Sequence, residues 1–265
     1  MIQTLHDITE HLAWLDAFIC DPRFSSPFCS KERILSLAEK DTSLLLGAYE
    51  GQRLTGLFCL MVLDAEKYIE TLFLYTESEK AYENLLEYLS AACPGYEMWF
   101  VYNPKNPVLE NFLFKKQAFF YEEQRYMEYK GATPEDPDGI IPYHHAYKEE
   151  YIRMHSKDGY WDGGKMLEQQ DNFYIFLCVR DNRLIGYIDC SKGTGTNEVM
   201  DIRVLPEYRS QGIGALLLRK ALFINRGNRL VLTVDTDNAP ANHLYEKLGF
   251  QEISMNNLIT AKLVL

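Results

Sequence analysis

The chain has 265 residues, enough for one or two domains that each bury a core. Its 47% hydrophobic and 13% aromatic content excludes a disordered chain, and its net charge of −11 sets it against nucleic-acid phosphates. No apolar run reaches the ~20 residues that span a bilayer, and Met1–His6 lacks the basic-then-apolar order of a signal peptide, so the expectation is a cytoplasmic protein. None of Cys20, Cys29, Cys59, Cys93, Cys178 and Cys190 forms a Cys-x-x-Cys pair, and they read as reduced thiols.

In chain order, Ile8, Leu12, Leu15, Phe18 and Ile19 follow a helical period up to Cys20. Ser43–Tyr49 reads as a strand, Glu50–Arg53 as a hairpin turn and Leu54–Val62 as the returning strand. Ile69–Tyr75 is a further strand, Ala81–Ala91 a helix, Met98–Tyr102 a strand, Val108–Lys116 a helix and Phe119–Tyr129 a strand. Residues 131–139 then combine prolines, glycines and charges with no apolar period, which marks a linker.

After the linker the same order returns. Ala146–Met154 is helical, Phe173–Val179 and Leu184–Cys190 are strands around a turn at Arg180–Arg183, and Val199–Val204 is a third strand. Leu216–Leu222 begins an apolar helix. Leu230–Val234 is a strand, Ala239–Leu248 a helix, and Gln251–Val264 two strands. The halves share residues at a nearly fixed offset. Arg53, Leu54 and Gly56 match Arg183, Leu184 and Gly186 at 130, while Asn111, Leu113 and Phe119 match Asn242, Leu244 and Phe250 at 131.

The chemistry concentrates between the third strand and its helix, at Val204-Leu205-Pro206-Glu207-Tyr208-Arg209-Ser210-Gln211-Gly212-Ile213-Gly214-Ala215. A glycine pair opening a helix gathers backbone N–H groups at the positive end of the helix, with no Cβ atoms to hold a phosphate away. Gly214 is followed by Ala215, not by the Lys-Ser/Thr of a nucleoside-triphosphate loop, and a third spaced glycine of a dinucleotide fingerprint is missing. The run Val-x-Pro-x-x-Arg-x-x-Gly-x-Gly resembles the acyl-CoA motif of the GNAT superfamily of N-acetyltransferases. Asn238-x-x-Ala241-x-x-Leu244-Tyr245-x-x-x-Gly249-Phe250 resembles its later motif, in the right order and spacing.

The resemblance implies an α/β (α+β) fold of two tandem GNAT-like domains, each a mixed, mostly antiparallel central sheet flanked by helices. A first domain at 1–130 is degenerate, a linker covers 131–139, and a catalytic domain at 140–265 binds acetyl-CoA. At offset 131 Arg209, Gly212 and Gly214 fall on Ser78, Ala81 and Glu83, and Tyr245 falls on Phe114. Glu77 and Glu79 beside Ser78 would repel a pyrophosphate, so the first half keeps the fold without the cofactor site.

The implied activity is transfer of an acetyl group from acetyl-CoA to a primary amine of a small molecule or peptide, by direct attack in a ternary complex. The N–H groups of Ser210, Gln211, Gly212, Ile213, Gly214 and Ala215 would hold the pyrophosphate with Arg209, and the edge of Ile202, Arg203 and Val204 the pantetheine arm. Tyr245 is the candidate acid to the departing sulfur, although Ala241, Leu244, Tyr245 and Leu248 also form a plain core stripe. Asn238 is a helix N-cap, a CoA contact, or both. Glu198 and Asp201 are the candidate bases. Strand alternation places them on opposite faces, with Glu198 sharing a face with Ile202 and Val204. Either is otherwise a solvated strand charge, and a water chain is an equal alternative to both.

His144, His145, His155 and His243 lack metal spacing or a partnered carboxylate, and no metal is expected. The loop Lys157–Gly164 places Tyr160 and Trp161, with Asp158 and Asp162, as contacts to a cationic acceptor or as an ordinary exposed loop. A CoA-binding or sensing protein without turnover is the alternative function. Neither acceptor nor oligomeric state is legible.

Overall fold

A computed structural model describes residues 1–25, 34–36, 43–155 and 160–265. Cys29, Lys157, Asp158 and Gly159 lie outside the described residues. The chain forms two compact units.

The first unit comprises Met1–Arg125, Asp235–Asp237 and Ile253–Leu265. It holds β1 (Ile2–Thr4), α1 (Leu12–Ile19), β2 (Ser43–Glu50), β3 (Arg53–Leu63), β4 (Tyr68–Tyr75), α2 (Glu79–Ala92), β5 (Glu97–Tyr102), α3 (Pro107–Lys115) and β6 (Phe119–Phe120). Gly51 takes the left-handed conformation, φ +61°, that the tight β2–β3 turn needs. α2 forms because Ala81, Leu85 and Leu89 recur on one face and are all buried, and the Ser78 hydroxyl accepts from the Ala81 amide at 3.3 Å.

The second unit comprises Tyr126–Val234 and Asn238–Glu252. β7 (Gln124–Tyr129), β8 (Ile140–Pro142), α4 (Lys148–Met154), α5 (Gly163–Glu168), β9 (Phe173–Arg180), β10 (Arg183–Ser191), β11 (Thr196–Val204), α6 (Ile213–Ile224), β12 (Arg229–Asp235), α7 (Ala239–Leu248) and β13 (Phe250–Glu252) follow in order. The sheet order is β13-β7-β12-β11-β10-β9-β8. Ile188, Cys190, Leu217, Leu218, Leu232 and Tyr245 pack in a core on one face. Tyr151, Met166, Leu177 and Tyr187 form the core on the other. Asp181 and Asn182, at φ +50° and +58°, make the two left-handed positions of the β9–β10 hairpin.

Two strand assignments differ from the sequence reading. Phe119–Tyr129 is broken into β6 and β7, which join different sheets. The last strand, β14 (Ile259–Val264), was expected within 140–265, but it pairs with β5, Ala261 opposite Phe100, and completes the first sheet in the order β1-β2-β3-β4-β5-β14-β6. A strand's own residues specify its faces but not its partner.

The repeat is visible in the register. Gly56 lies opposite Ala48, and Gly186 opposite Cys178, each beside a shift of one residue. The later offset requires correction. Asn106 caps α3 by accepting from Leu109, as Asn238 caps α7 by accepting from Ala241, and the left-handed residues that follow are Gln117 and Gly249. Both landmarks are 132 residues apart, so Tyr245 matches Leu113, not Phe114, whose side chain is 75% exposed. No described helix is long and apolar enough to cross a membrane.

Candidate active site

The cradle begins where a strand pair separates. β11 and β12 run parallel from Thr196–Arg229 to Val199–Leu232, and there the ladder ends. Ile202, Arg203 and Val204 remain paired with Ile188, Tyr187 and Gly186 of β10, so their other edge faces the gap that opens towards β12. Beyond Val204 the chain makes a short turn at Pro206–Tyr208 and enters α6 through Gly212.

Gly212 is left-handed, φ +82°, and α6 has no capping side chain. Its first N–H groups, from Ile213 onward, therefore lack the usual side-chain acceptor at the positive helix end. Arg209, Ser210, Gln211 and Gly212 are exposed. Ser210 is also left-handed, φ +60°. Gly214 packs so that a Cβ there would stand 3.1 Å from Leu244 of α7. Ala215 completes the first turn.

Sequence reasoning missed the cations beside this loop. Arg180, from the β9–β10 hairpin, donates to Gln211 Oε1 at 3.2 Å, and Arg183 pairs with Glu207 at 2.9 Å. Both guanidinium groups lie over the Tyr208 ring, at 5.6 and 5.9 Å. The only signal was two arginines flanking a turn.

The faces of β11 also differ from expectation. Asp201 pairs with Asp189 but Val199 pairs with Cys190, so Met200 is an extra residue that resets the alternation. Val199 and Ile202 both join the core beneath α6, and Glu198 and Asp201 consequently share the opposite face. Their surroundings differ. The Glu198 carboxylate adds to the burial that pushes the Tyr126 hydroxyl up to about 12. Asp201 Oδ2 accepts from the Tyr187 hydroxyl at 2.5 Å and lies 3.6 Å from Arg203 Nε. Burial, helped by the Asp201 charge, pushes the Tyr245 phenol up to about 12, so it stays protonated at neutral pH. Asn238 Oδ1 accepts from the Ala241 amide at 3.3 Å and serves as the N-cap of α7.

His155 is not a solitary histidine. It is 4% exposed, and its Nε2 lies 2.9 Å from Asp189 Oδ2. Asp189 is fully buried, and burial pushes its carboxyl up to about 6, against hydrogen bonds from His155 and Tyr151 that lower it. The pair is separated by 34 residues in the chain. The one local sign was a carboxylate inside the apolar run Ile188-Asp189-Cys190.

The expected acceptor loop is only partly free to bind a cation. Asp162 Oδ1 accepts from the Gly164 and Lys165 amides at 2.8 and 3.0 Å, capping α5. Trp161 packs edge-on against Phe173 at 5.0 Å, and the Tyr160 ring already carries Lys165 Nζ at 3.8 Å. Among the described residues no group of three His, Cys, Asp or Glu side chains is arranged to hold a metal.

The acetyltransferase (GNAT) family model matches residues 140–250, the segment that contains the cradle, Asp201 and Tyr245. The N-alpha-acetyltransferase 30 of Schizosaccharomyces pombe is 30% identical over 123 residues, covering 42% of this chain and 82% of the yeast protein. The chain belongs to the GNAT acetyltransferase family. An uncharacterized N-acetyltransferase of Methanocaldococcus jannaschii is 30% identical over 136 residues, and the match spans 46% of this chain and 60% of the relative's length.

Solved GNAT structures match the whole chain in fold. A tandem GNAT protein from the clavulanic acid biosynthesis pathway superposes with a TM-score of 0.66 at 15% identity, covering 100% of this chain and 98% of that one. A GCN5-related N-acetyltransferase from Sphaerobacter thermophilus gives a TM-score of 0.69 at 12% identity, over 100% and 95%. The two sheets are two GNAT-like domains in tandem.

Proposed function

We propose that the protein transfers an acetyl group from acetyl-CoA to a primary amine, with one active site, in its second half. The observation that carries this reading is the uncapped, left-handed entry to α6 at Gly212, beside the point where β11 and β12 part. Backbone N–H groups there suit the pyrophosphate, and the unpaired edge of Ile202–Val204 suits the amide groups of pantetheine. Among the described residues the first half offers no such entry. α2 is capped by Ser78, with Glu79 in its first turn.

In this reading acetyl-CoA supplies the activated acetyl group. The thioester oxygen is steadied at the backbone N–H near Val204 as negative charge develops. Asp201 attracts the acceptor's ammonium group. Tyr245, kept protonated by burial, gives a proton to the departing sulfur. Glu198 is the weaker candidate for contact with the amine.

The test incubates the protein with acetyl-CoA and a panel of small amines and peptide N-termini, and follows free thiol. Thiol release that depends on the amine is expected. Tight CoA binding without thiol release from any amine would favour a CoA-sensing role instead.

A further inference from the structure

Behind Asp201 lies a chain of ionisable groups that the acetyl-transfer reading leaves unused. His155, at the end of α4, sits between two carboxylates. Its Nε2 is 2.9 Å from Asp189 Oδ2, and its Nδ1 is 3.8 Å from Asp201 Oδ2. The Tyr151 hydroxyl donates to the same Asp189 oxygen at 2.7 Å, while Asp189 Oδ1 is buried with no hydrogen-bond partner. The Tyr187 ring stacks on the imidazole, centroids 5.2 Å apart and planes 14° apart, and its hydroxyl reaches Asp201.

Such an arrangement is a poor choice for packing alone. A buried carboxylate with an unsatisfied oxygen costs free energy that an apolar pair of similar size would not. The geometry has a specific protonic consequence. With Nε2–H donated to Asp189, the Nδ1 lone pair is directed towards the side where Asp201 lies. A proton arriving at Nδ1 creates an imidazolium bracketed by two carboxylates.

We propose that His155, anchored by Asp189, stores the proton that the acceptor's ammonium group gives up at Asp201. This rests on the acetyl-transfer reading. The N–H bond of the ammonium breaks, and the proton passes to the Asp201 carboxylate and from there, as the 3.8 Å separation closes to a hydrogen bond, to His155 Nδ1. The lone pair left on nitrogen forms the C–N bond, and the C–S bond breaks as the tetrahedral intermediate collapses. A second nitrogen proton replaces the one that Tyr245 gives to sulfur. The stored proton leaves to water after the products depart, so one proton is released per acetyl group transferred. His155 acts through Asp201 and is a positioning and relay residue.

Two measurements test this, and the first needs no acceptor. Nitrogen-15 NMR of the full chain follows His155 through pH in the wild type and in Asp201→Asn. Among the described residues, the groups facing the imidazole include Asp189 and Tyr187 from β10, Asp201 from β11 with Arg203 beside it, and Tyr151 from α4. An Nε2–H tautomer is expected, with an imidazolium midpoint that falls by about one pH unit or more when the Asp201 charge is removed. An unchanged midpoint overturns the proposal.

The second measurement is kinetic, on His155→Gln, whose amide still donates to Asp189 but holds no proton. A loss in kcat of about 10²-fold at neutral pH is expected, with the acceptor KM within about twofold and the rate recovering as pH rises and the amine loses its own proton. A wild-type kcat and pH profile in this variant, with the parent enzyme active, overturns the relay alone. Absence of amine-dependent thiol release from the parent enzyme overturns the acetyl-transfer reading and the relay with it.

Discussion

Arg209 folds its Nε back onto the Val204 carbonyl at 3.1 Å. The arginine of the motif thus closes its own loop, from the end of β11 to the entry of α6. With Gln211 Nε2 bonded to the Glu207 carbonyl at 3.2 Å, it fixes the curvature that aims the backbone amides. A loop braced before the cofactor arrives loses less conformational freedom on binding.

The first prediction follows from that brace. Gly212→Glu places a side chain on a left-handed residue and a negative charge beside the pyrophosphate, and CoA binding should be lost. Arg209→Ala should weaken CoA by roughly tenfold, because both a cation and the brace are removed. Calorimetry on the full chain checks both, with one CoA per chain expected for the parent protein. Two sites per chain would refute confinement of the site to the second half.

Tyr245→Phe isolates the hydroxyl. The ring packs near Phe250, centroids 5.9 Å apart, and that contact survives the substitution. A fall in kcat of roughly 10²–10⁴-fold with CoA affinity unchanged is expected if the phenol protonates sulfur. Near-normal turnover with an unchanged melting temperature would make Tyr245 a core residue, like Leu113 at the matching place in α3.

Glu128 of β7 gives a stability prediction with a definite pH dependence. Arg229 Nε and its neighbouring nitrogen reach the carboxylate at 3.0 and 2.7 Å, and Lys130 lies at 2.6 Å. These bonds, those from Arg229 foremost, hold the carboxyl down at about 2 from its ordinary 4.5. A depressed carboxyl contributes stability fully above its unfolded value, and the contribution is lost as pH falls towards 2. Arg229 is 57% exposed, so solvent screening limits the effect. Glu128→Gln should cost about 1–2 kcal/mol at pH 7, with the difference shrinking towards pH 2. Urea unfolding at several pH values measures it, and a penalty that persists at pH 2 would refute the assignment.

Asp162→Ala removes the cap of α5. The two hydrogen bonds donated by the Gly164 and Lys165 amides are lost, and a destabilisation of about 1 kcal/mol is expected. Asp162→Asn keeps an acceptor oxygen and should restore most of the stability. If Asp162 instead held the acceptor's charge, Asn would not restore the acceptor KM, and comparing the two variants in melting temperature and KM separates these roles.

The residues that lie close in sequence were the legible ones. Val204 to Ala215 carries its strand, turn and helix entry within one stretch, and Asn238 to Gly249 carries both caps of its helix. The bulge at Met200 was not legible, because an extra residue in β11 shows only against the register of β10. It moved Glu198 to the face of Asp201. The His155–Asp189 pair was hidden by chain distance, and the false match of Tyr245 to Phe114 came from a constant offset laid across loops of unequal length. The N-caps Asn106 and Asn238 correct that match.

The placement of β14 between β5 and β6 has a consequence for synthesis. On the ribosome, domains generally fold in the order in which they emerge. Here the sheet begun by Ile2–Thr4 waits for Ile259–Val264, whereas residues 126–252 already contain every strand of the second sheet apart from the first two residues of β7. The half made first is therefore the half finished last. A nascent chain halted near residue 253 would carry a nearly complete second unit and a first sheet with the edge of β5 open.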